Sequence, residues 1–456
     1  MMRKLGLLLI PLLGLPAARA LEPCKVEVVD KENGWPVPLV VLTTTSDETF
    51  VTDNAGVVAF DLPELMGRET WLTVSSHGYE VAADGFGYRG VRFTPKPGGT
   101  FRIEIERKQI AKRLGRLTGS GQFAESQKLG EFKTWEESGV IGSDTVQTFA
   151  YKGKLHWIWG DTNLPGYPLG IFDTAGATSS LKPLISLKPP TAIRYDYFRD
   201  GKGSPRGVAK MPGDGPTWVS GFVALPDKDG REHLVATYAK IGDGMAAYEF
   251  GLLEWNDEAE KFDHVLTFWK KSDGGEHPPK PYPDGHPVIW KDADGKAWLY
   301  FNGPVNFKCP ATYEAWKDRS RWQNVDSPKS FKAVDGGDIE VASASIAWNQ
   351  HRKRWIMILQ QKFGNPSVFG EVWYLEGESP EGPWGPAVKV ATHRNYTFYN
   401  VQIDWQLTDP GEPILLFEGT YTHTFTDNKI KTPRYEYNQM LYRIDLDDPA
   451  LKPAQR

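Results

Sequence analysis

The chain has 456 residues, 40% hydrophobic and 12% aromatic, enough for one large core or two domains. With 53 basic against 58 acidic residues and no basic cluster, nucleic acid is not an expected partner. The 46 glycines, 34 prolines and 17 tryptophans point to an all-β protein with many turns.

Residues 1–20 read as a secretory signal peptide. Arg3 and Lys4 form a basic start, LGLLLIPLLGLPA is a short apolar run, and Ala18-Arg19-Ala20 fits a small-x-small cleavage site. The run is too short to cross a bilayer, and no later stretch approaches the roughly 18 apolar residues that a spanning helix needs. The mature chain is therefore expected to be secreted or periplasmic, with no membrane span. Cleavage leaves 50 basic residues against 58 acidic ones, a net charge of −8. Cys24 and Cys309 are expected to fall in different domains and to stay unpaired.

Residues 21–107 alternate short Val-, Thr- and Phe-rich runs with NG, DNAG and PGG turns, the pattern of a small β-sandwich. The stretch VPLVVLTTT, FVTDNAGVVAFDLPE and LTVSSHGYE resembles the carboxypeptidase regulatory-like (transthyretin-like) domain, which implies a structural or adhesive module. Residues 108–135 change character: QIAKRLGRLTG suggests one or two amphipathic helical turns, and a polar stretch follows, so the segment reads as a linker.

Residues 136–450 repeat. A turn followed by an aromatic-rich strand recurs in KGKLHWIWGDT, DGREHLVATYAK, DGKAWLYFNG, HRKRWIMILQQ and PGEPILLFEGT, each preceded by another strand candidate. The turn markers Gly153, Gly230, Gly295, Arg352 and Gly411 are spaced by 77, 65, 57 and 59 residues. Five hairpins with no helical period between them predict a five-bladed β-propeller.

In a propeller the first strand of each blade starts at one face and the second returns to it. First-strand starts supply Asp144, Asp214, His286, Ser343 with Ser345, and Tyr399 with Asn400. Second-strand ends supply Asp161, Lys240, Asn302, Gln360 with Lys362, and Glu418; third-strand starts add Glu371, and Arg434 with Tyr435 lies nearby. Carboxylates, amides and aromatics at one mouth suit a carbohydrate. Hydrolysis of a glycosidic bond needs one carboxyl kept protonated and one ionised.

The five-fold repeat, the aspartate of GSDTV and the blade ending EVWYLEGESPEGPW resemble the five-bladed glycoside hydrolases of families 43 and 32. The resemblance implies that Asp144 is base or nucleophile and that Asp214 tunes the acid. Family 43 places that acid, a glutamate, at the third-blade start. Here the slot reads PYPDGHPV, with Glu276, Asp284 and His286 nearby and no glutamate in place. Glu418 or Glu371 is then the expected substitute. Asp161, Trp218, Lys240, His286, Tyr399, Asn400 and Arg434 are the expected substrate contacts.

Plainer roles compete for several of these residues. Asp161 and Asp214 lie in turn sequences, Glu371 on a strand suits a salt bridge to Lys362 or Arg354, and His286 suits a turn. The Tyr435-Glu436-Tyr437 cluster raises a sialidase-like alternative with a tyrosine nucleophile. No HExxH occurs and no two histidines lie within four residues, so neither metal nor cofactor is expected, and no residue pattern supports a channel Ca²⁺. The missing third-blade glutamate favours a rival from another class, a non-catalytic glycan-binding or cell-surface interaction protein.

Overall fold

A computed structural model describes residues 21–121, 124–135, 138–182, 188–301 and 303–455. The signal-peptide reading of residues 1–20 and the candidate Asn302 lie outside the described residues.

Five antiparallel sheets follow one another along the chain. Blade one pairs Val146–Tyr151, Lys154–Trp159, Ala175–Ser180 and Asp196–Tyr197. Blade two pairs Thr217–Pro226, Glu232–Ile241, Ala247–Asn256 and Lys261–Lys270. Blade three pairs Pro287–Lys291, Ala297–Phe301, Phe307–Pro310 and Gln323–Asn324. Blade four runs through Asp338–Asn349, Arg354–Gln361, Val372–Gly377 and Val388–Ala391, with Ser330–Lys332 added at its edge. Blade five pairs Thr397–Ile403, Ile414–Thr422 and Asn438–Asp445.

Five apolar layers lie between these sheets and close a ring. Tyr151 and Ile158 of blade one pack with Phe222 and Ala236 of blade two. Val223 and Leu252 meet Leu299 and Phe307 of blade three, whose Tyr300 meets Ile346 and Leu359 of blade four. Ile356 and Tyr374 meet Phe398 and Phe417 of blade five, and Leu416 and Leu441 return to Trp157 and Val146 of blade one. Alternating side chains therefore serve both faces of every blade, which is why the strands carry so many aromatics. The architecture is a five-bladed propeller, all-β as the repeat predicts.

The segment read as a helical linker corrects the sequence reading. Lys112–Arg116 is a strand, and it supplies the fourth strand of blade five by pairing with Asn438–Asp445. Leu114 joins the layer between blades five and one, while Arg113 points to the other face. Arg113 is 2% exposed and donates to the carbonyls of Pro38 (2.9 Å), His77 (3.0 Å) and Leu39 (3.2 Å). A charged side chain satisfied by distant carbonyls looks, in sequence, like the polar face of a helix. Gly115 is obligatory, because a Cβ there would meet the Asn54 amide at 2.6 Å. Asn54 uses this approach to donate to Arg116 O (2.9 Å) and Thr191 O (2.7 Å).

Two further four-stranded sheets come from residues 24–107. They enclose a core containing Val26, Val28, Leu42, Phe60, Leu72 and Ile103. Beyond the Arg113 and Asn54 bonds, Tyr435 donates to Thr52 O at 2.8 Å and Ser126 Oγ to Asp53 at 2.6 Å. Cys24 and Cys309 are both buried and unpaired. No helix among the described residues is long and apolar enough to cross a membrane.

Candidate active site

The first hairpin of the propeller brings Asp144 and Asp161 together. Val146 pairs with Trp159 at the open end of the hairpin, and the Asp144 amide donates to Asp161 O at 3.2 Å. Gly160 permits the approach, since a Cβ at that position would lie 2.3 Å from Asp144 Oδ1. The Tyr399 hydroxyl, from the first strand of blade five, donates to Asp144 Oδ2 at 2.7 Å. Tyr437 gives Asp144 a second hydroxyl, and the Trp218 indole from blade two donates to Asp161.

Electrostatics separates the two carboxyls. Burial, and after it the charge of Asp144, pushes the Asp161 carboxyl up to about 7, against the bond from Trp218. Burial also holds Asp144 above the usual carboxylate range, but two hydroxyl donors oppose it. The pair thus contains one member that keeps a proton near neutral pH and one whose ionised form receives donors. One oxygen of each, Asp144 Oδ1 and Asp161 Oδ1, is buried without a hydrogen-bond partner.

The backbone around the pair is strained. Thr145 (φ 45°), Asn400 (φ 52°) and Tyr437 (φ 59°) are all left-handed, and for a β-branched threonine this conformation is unfavourable. Asn400 Nδ2 donates to Thr145 Oγ1 at 2.6 Å, and the Thr145 amide to Thr420 Oγ1 at 3.1 Å. These bonds hold the turn that aims Asp144.

A polar ring continues from the pair through the other blades. Ser220, on the strand that carries Trp218, donates to Asp284 Oδ1 at 2.7 Å. His286 bonds Gln402, and burial pushes its imidazole down to about 4. Ser345 Oγ accepts from Ile403 N at 3.1 Å, and Ser343 donates to Gln360 at 2.8 Å. Asp284 and His286 therefore stand at the third-blade start.

The two expected acids lie elsewhere. Glu418 is fully buried beside Asp404, and its charge also bears on Tyr195. Burial and this neighbouring carboxyl raise Glu418 well above the usual range. Its partner was not visible in sequence, because Asp404 lies on the far side of a bulged strand pairing between Tyr399 and Gln402. Glu371 is buried in the outer half of blade four, with its carboxylate on Lys389 (2.7 Å) and Thr392 (2.7 Å), so its partner is neither Lys362 nor Arg354.

Three other candidates also stand apart from the pair. Asp214 is an exposed turn residue whose carbonyl accepts from Tyr248 at 2.8 Å. Lys240 is 1% exposed and donates to Gly215 O (2.7 Å) and Met211 O (3.3 Å), holding that turn, with burial lowering its ammonium below the usual range. Arg434 binds Glu125 beside the N-terminal sheets. Of the YEY cluster, Tyr435 is buried against Thr52 and Glu436 binds His423 at 2.6 Å, so only Tyr437 reaches the pair. Among the described residues, no group of three His, Cys, Asp or Glu side chains could hold a metal ion.

No family model and no curated protein matches the chain. Solved structures do, among them three named as glycoside hydrolases. The exo-β-1,3-galactanase of Phanerochaete chrysosporium is 11% identical over 66% of this chain and 60% of that one, with a TM-score of 0.38. The exo-inulinase of Aspergillus awamori is 17% identical over 65% and 60%, at 0.36. The arabinanase of Bacillus subtilis is 11% identical over 66% and 96%, at 0.34. This chain thus spans about 60% of the length of the galactanase and the inulinase. The five-bladed architecture itself rests on the sheets and inter-blade cores described above.

Proposed function

We propose that the protein is an exported glycoside hydrolase acting on a glycan at the propeller mouth, with Asp144 as base or nucleophile and Asp161 as proton donor. The observation that carries the reading is the split pair. Asp161 is held near 7 while Asp144 receives hydroxyls from Tyr399 and Tyr437. Glycosidic hydrolysis needs that division of labour, one carboxyl to protonate the leaving oxygen and one to activate water or attack carbon. Trp218, Asn400 and His286 would face the sugar, with Asp284 in the third-blade slot that the family 43 pattern gives to its acid. The N-terminal sheets would serve as a carboxypeptidase regulatory-like structural module, and residues 1–20 would direct export.

A non-catalytic glycan-binding reading has one observation in its favour: neither Glu418 nor Glu371 reaches the pair, Glu418 lying buried beside Asp404 and Glu371 held by Lys389. Release of reducing ends from a panel of arabinan, galactan, xylan and inulin decides between the two. The hydrolase reading expects release by the wild type and loss of about a thousandfold in Asp144→Asn. Equal release by both proteins removes Asp144 from the chemistry, and binding without release by either favours the second reading.

A further inference from the structure

A row of aromatic rings leads outward from the pair across the rim of blades four and five. Phe425 meets Tyr399, the residue that holds Asp144, edge-on at 5.8 Å. Phe369 follows at 6.4 Å from Phe425, and Phe363 at 6.2 Å from Phe369. The two end members of this triplet are each 65% exposed. All three sit in connections at one end of the propeller, after second strands or before a third, the end at which Asp144 also lies.

Two features set this row apart from stray surface phenylalanines. Phe363 (φ 56°) and Phe425 (φ 64°) both adopt left-handed backbone, which a bulky side chain disfavours. Strain that displays two rings to water gains the fold nothing, and residues of this kind cluster at ligand clamps. The backbone beneath them is fixed. Phe369 O accepts from Phe398 N (2.9 Å) and from Gln360 Nε2 (3.0 Å), and Glu436 secures His423 at the base of the Phe425 loop. The row also borders a cleft of about 310 Å³ lined by Val368, Asn395, Thr426, Asp427 and Asn428. Apolar rings beside amide, hydroxyl and carboxylate groups match a sugar, which has C–H faces and hydroxyl edges.

We infer that Phe425, Phe369 and Phe363 form a track for the saccharide units of a glycan chain that continues out of the Asp144–Asp161 site between blades four and five. The inference rests on the carbohydrate reading of that site, and it specifies a polymer or long oligosaccharide. Continuity selects this occupant, since the row begins at a side chain bonded to Asp144. Lys362 lies over one face of Phe363, 4.8 Å from the ring centre.

The test is affinity electrophoresis of the full-length protein in gels containing arabinan, galactan, xylan or inulin. The variants are Phe425→Ala, Phe363→Ala and Phe425→Trp. Both alanine variants should keep the wild-type melting temperature, because the rings are exposed. The expected result is retardation of the wild type in at least one gel, weakened about tenfold in each alanine variant and retained in Phe425→Trp. Equal retardation of wild type and alanine variants overturns the track and leaves the carbohydrate reading standing. Retardation of the wild type in none of the four gels overturns both.

Discussion

Replacing Glu418 by Gln should make the protein more stable at alkaline pH. Glu418 and Asp404 are 0% and 1% exposed, and three of their four oxygens have no donor. Burial is the first cause that raises both, and their proximity keeps Glu418 the higher. In the unfolded chain both carboxyls ionise by about pH 5. Above that pH the folded pair keeps at least one proton that the unfolded chain has released. Carboxyls whose folded values are raised contribute stability that is lost as pH rises, by about 1.4 kcal/mol per pH unit for each retained proton. From pH 6.5 to 8.5 the wild type should therefore lose stability through this pair for as long as a proton is still held. The glutamine amide introduced by Glu418→Gln cannot ionise, and it offers Asp404 a donor. Urea denaturation at pH 6.5, 7.5 and 8.5 measures the difference directly, and contributions such as that of Asp161 cancel between the proteins. The stability gain of Glu418→Gln should grow with pH. Parallel curves for the two proteins across the range would refute the shared proton.

Three further outcomes are expected. In Asp144→Asn the carboxyl titration of Asp161, followed by NMR, should fall from about 7 by roughly one pH unit yet stay above the ordinary range, because burial is its larger cause; an unmoved value would show that the two carboxyls are uncoupled. Arg113→Met should cost at least about 3 kcal/mol in chemical denaturation, since it strands three carbonyl acceptors that now receive a charged donor; a loss below about 1 kcal/mol would contradict that account. Tyr399→Phe and Tyr437→Phe should each lower turnover about tenfold, and both together should raise the Asp144 titration, because the removed hydroxyls favour its ionised form.

The repeat made the five blades legible, because each hairpin is a local unit whose turn and alternating strands leave a sequence signature. Its first hairpin also exposed Asp144 and Asp161 as neighbours, and the start of the fifth blade yielded Tyr399 and Asn400. What sequence did not reveal depends on pairings across long separations. Lys112–Arg116 joins blade five from more than three hundred residues upstream, and its buried arginines resemble a solvated face until their carbonyl partners are known. Glu418 was recognisable as a carboxylate that needs a partner, but nothing local singled out Asp404. Glu371 and Lys389 meet across two strands of one blade, and Arg434 meets Glu125 near the N-terminal sheets. Tyr437 lay in a noted cluster, yet nothing local marked it, rather than Tyr435, as the neighbour of Asp144.

In the proposed hydrolase, Asp144 and Asp161 divide the base and acid work of glycan hydrolysis. The dependence of kcat/KM on pH, for wild type and Asp161→Asn on a polysaccharide that the wild type cleaves, tests this division most directly. The wild-type profile should fall as pH rises through about 7, where Asp161 loses its proton, and the variant should be at least a hundredfold slower and lack that limb. A wild-type profile flat through pH 7, with activity kept in Asp161→Asn, would contradict it.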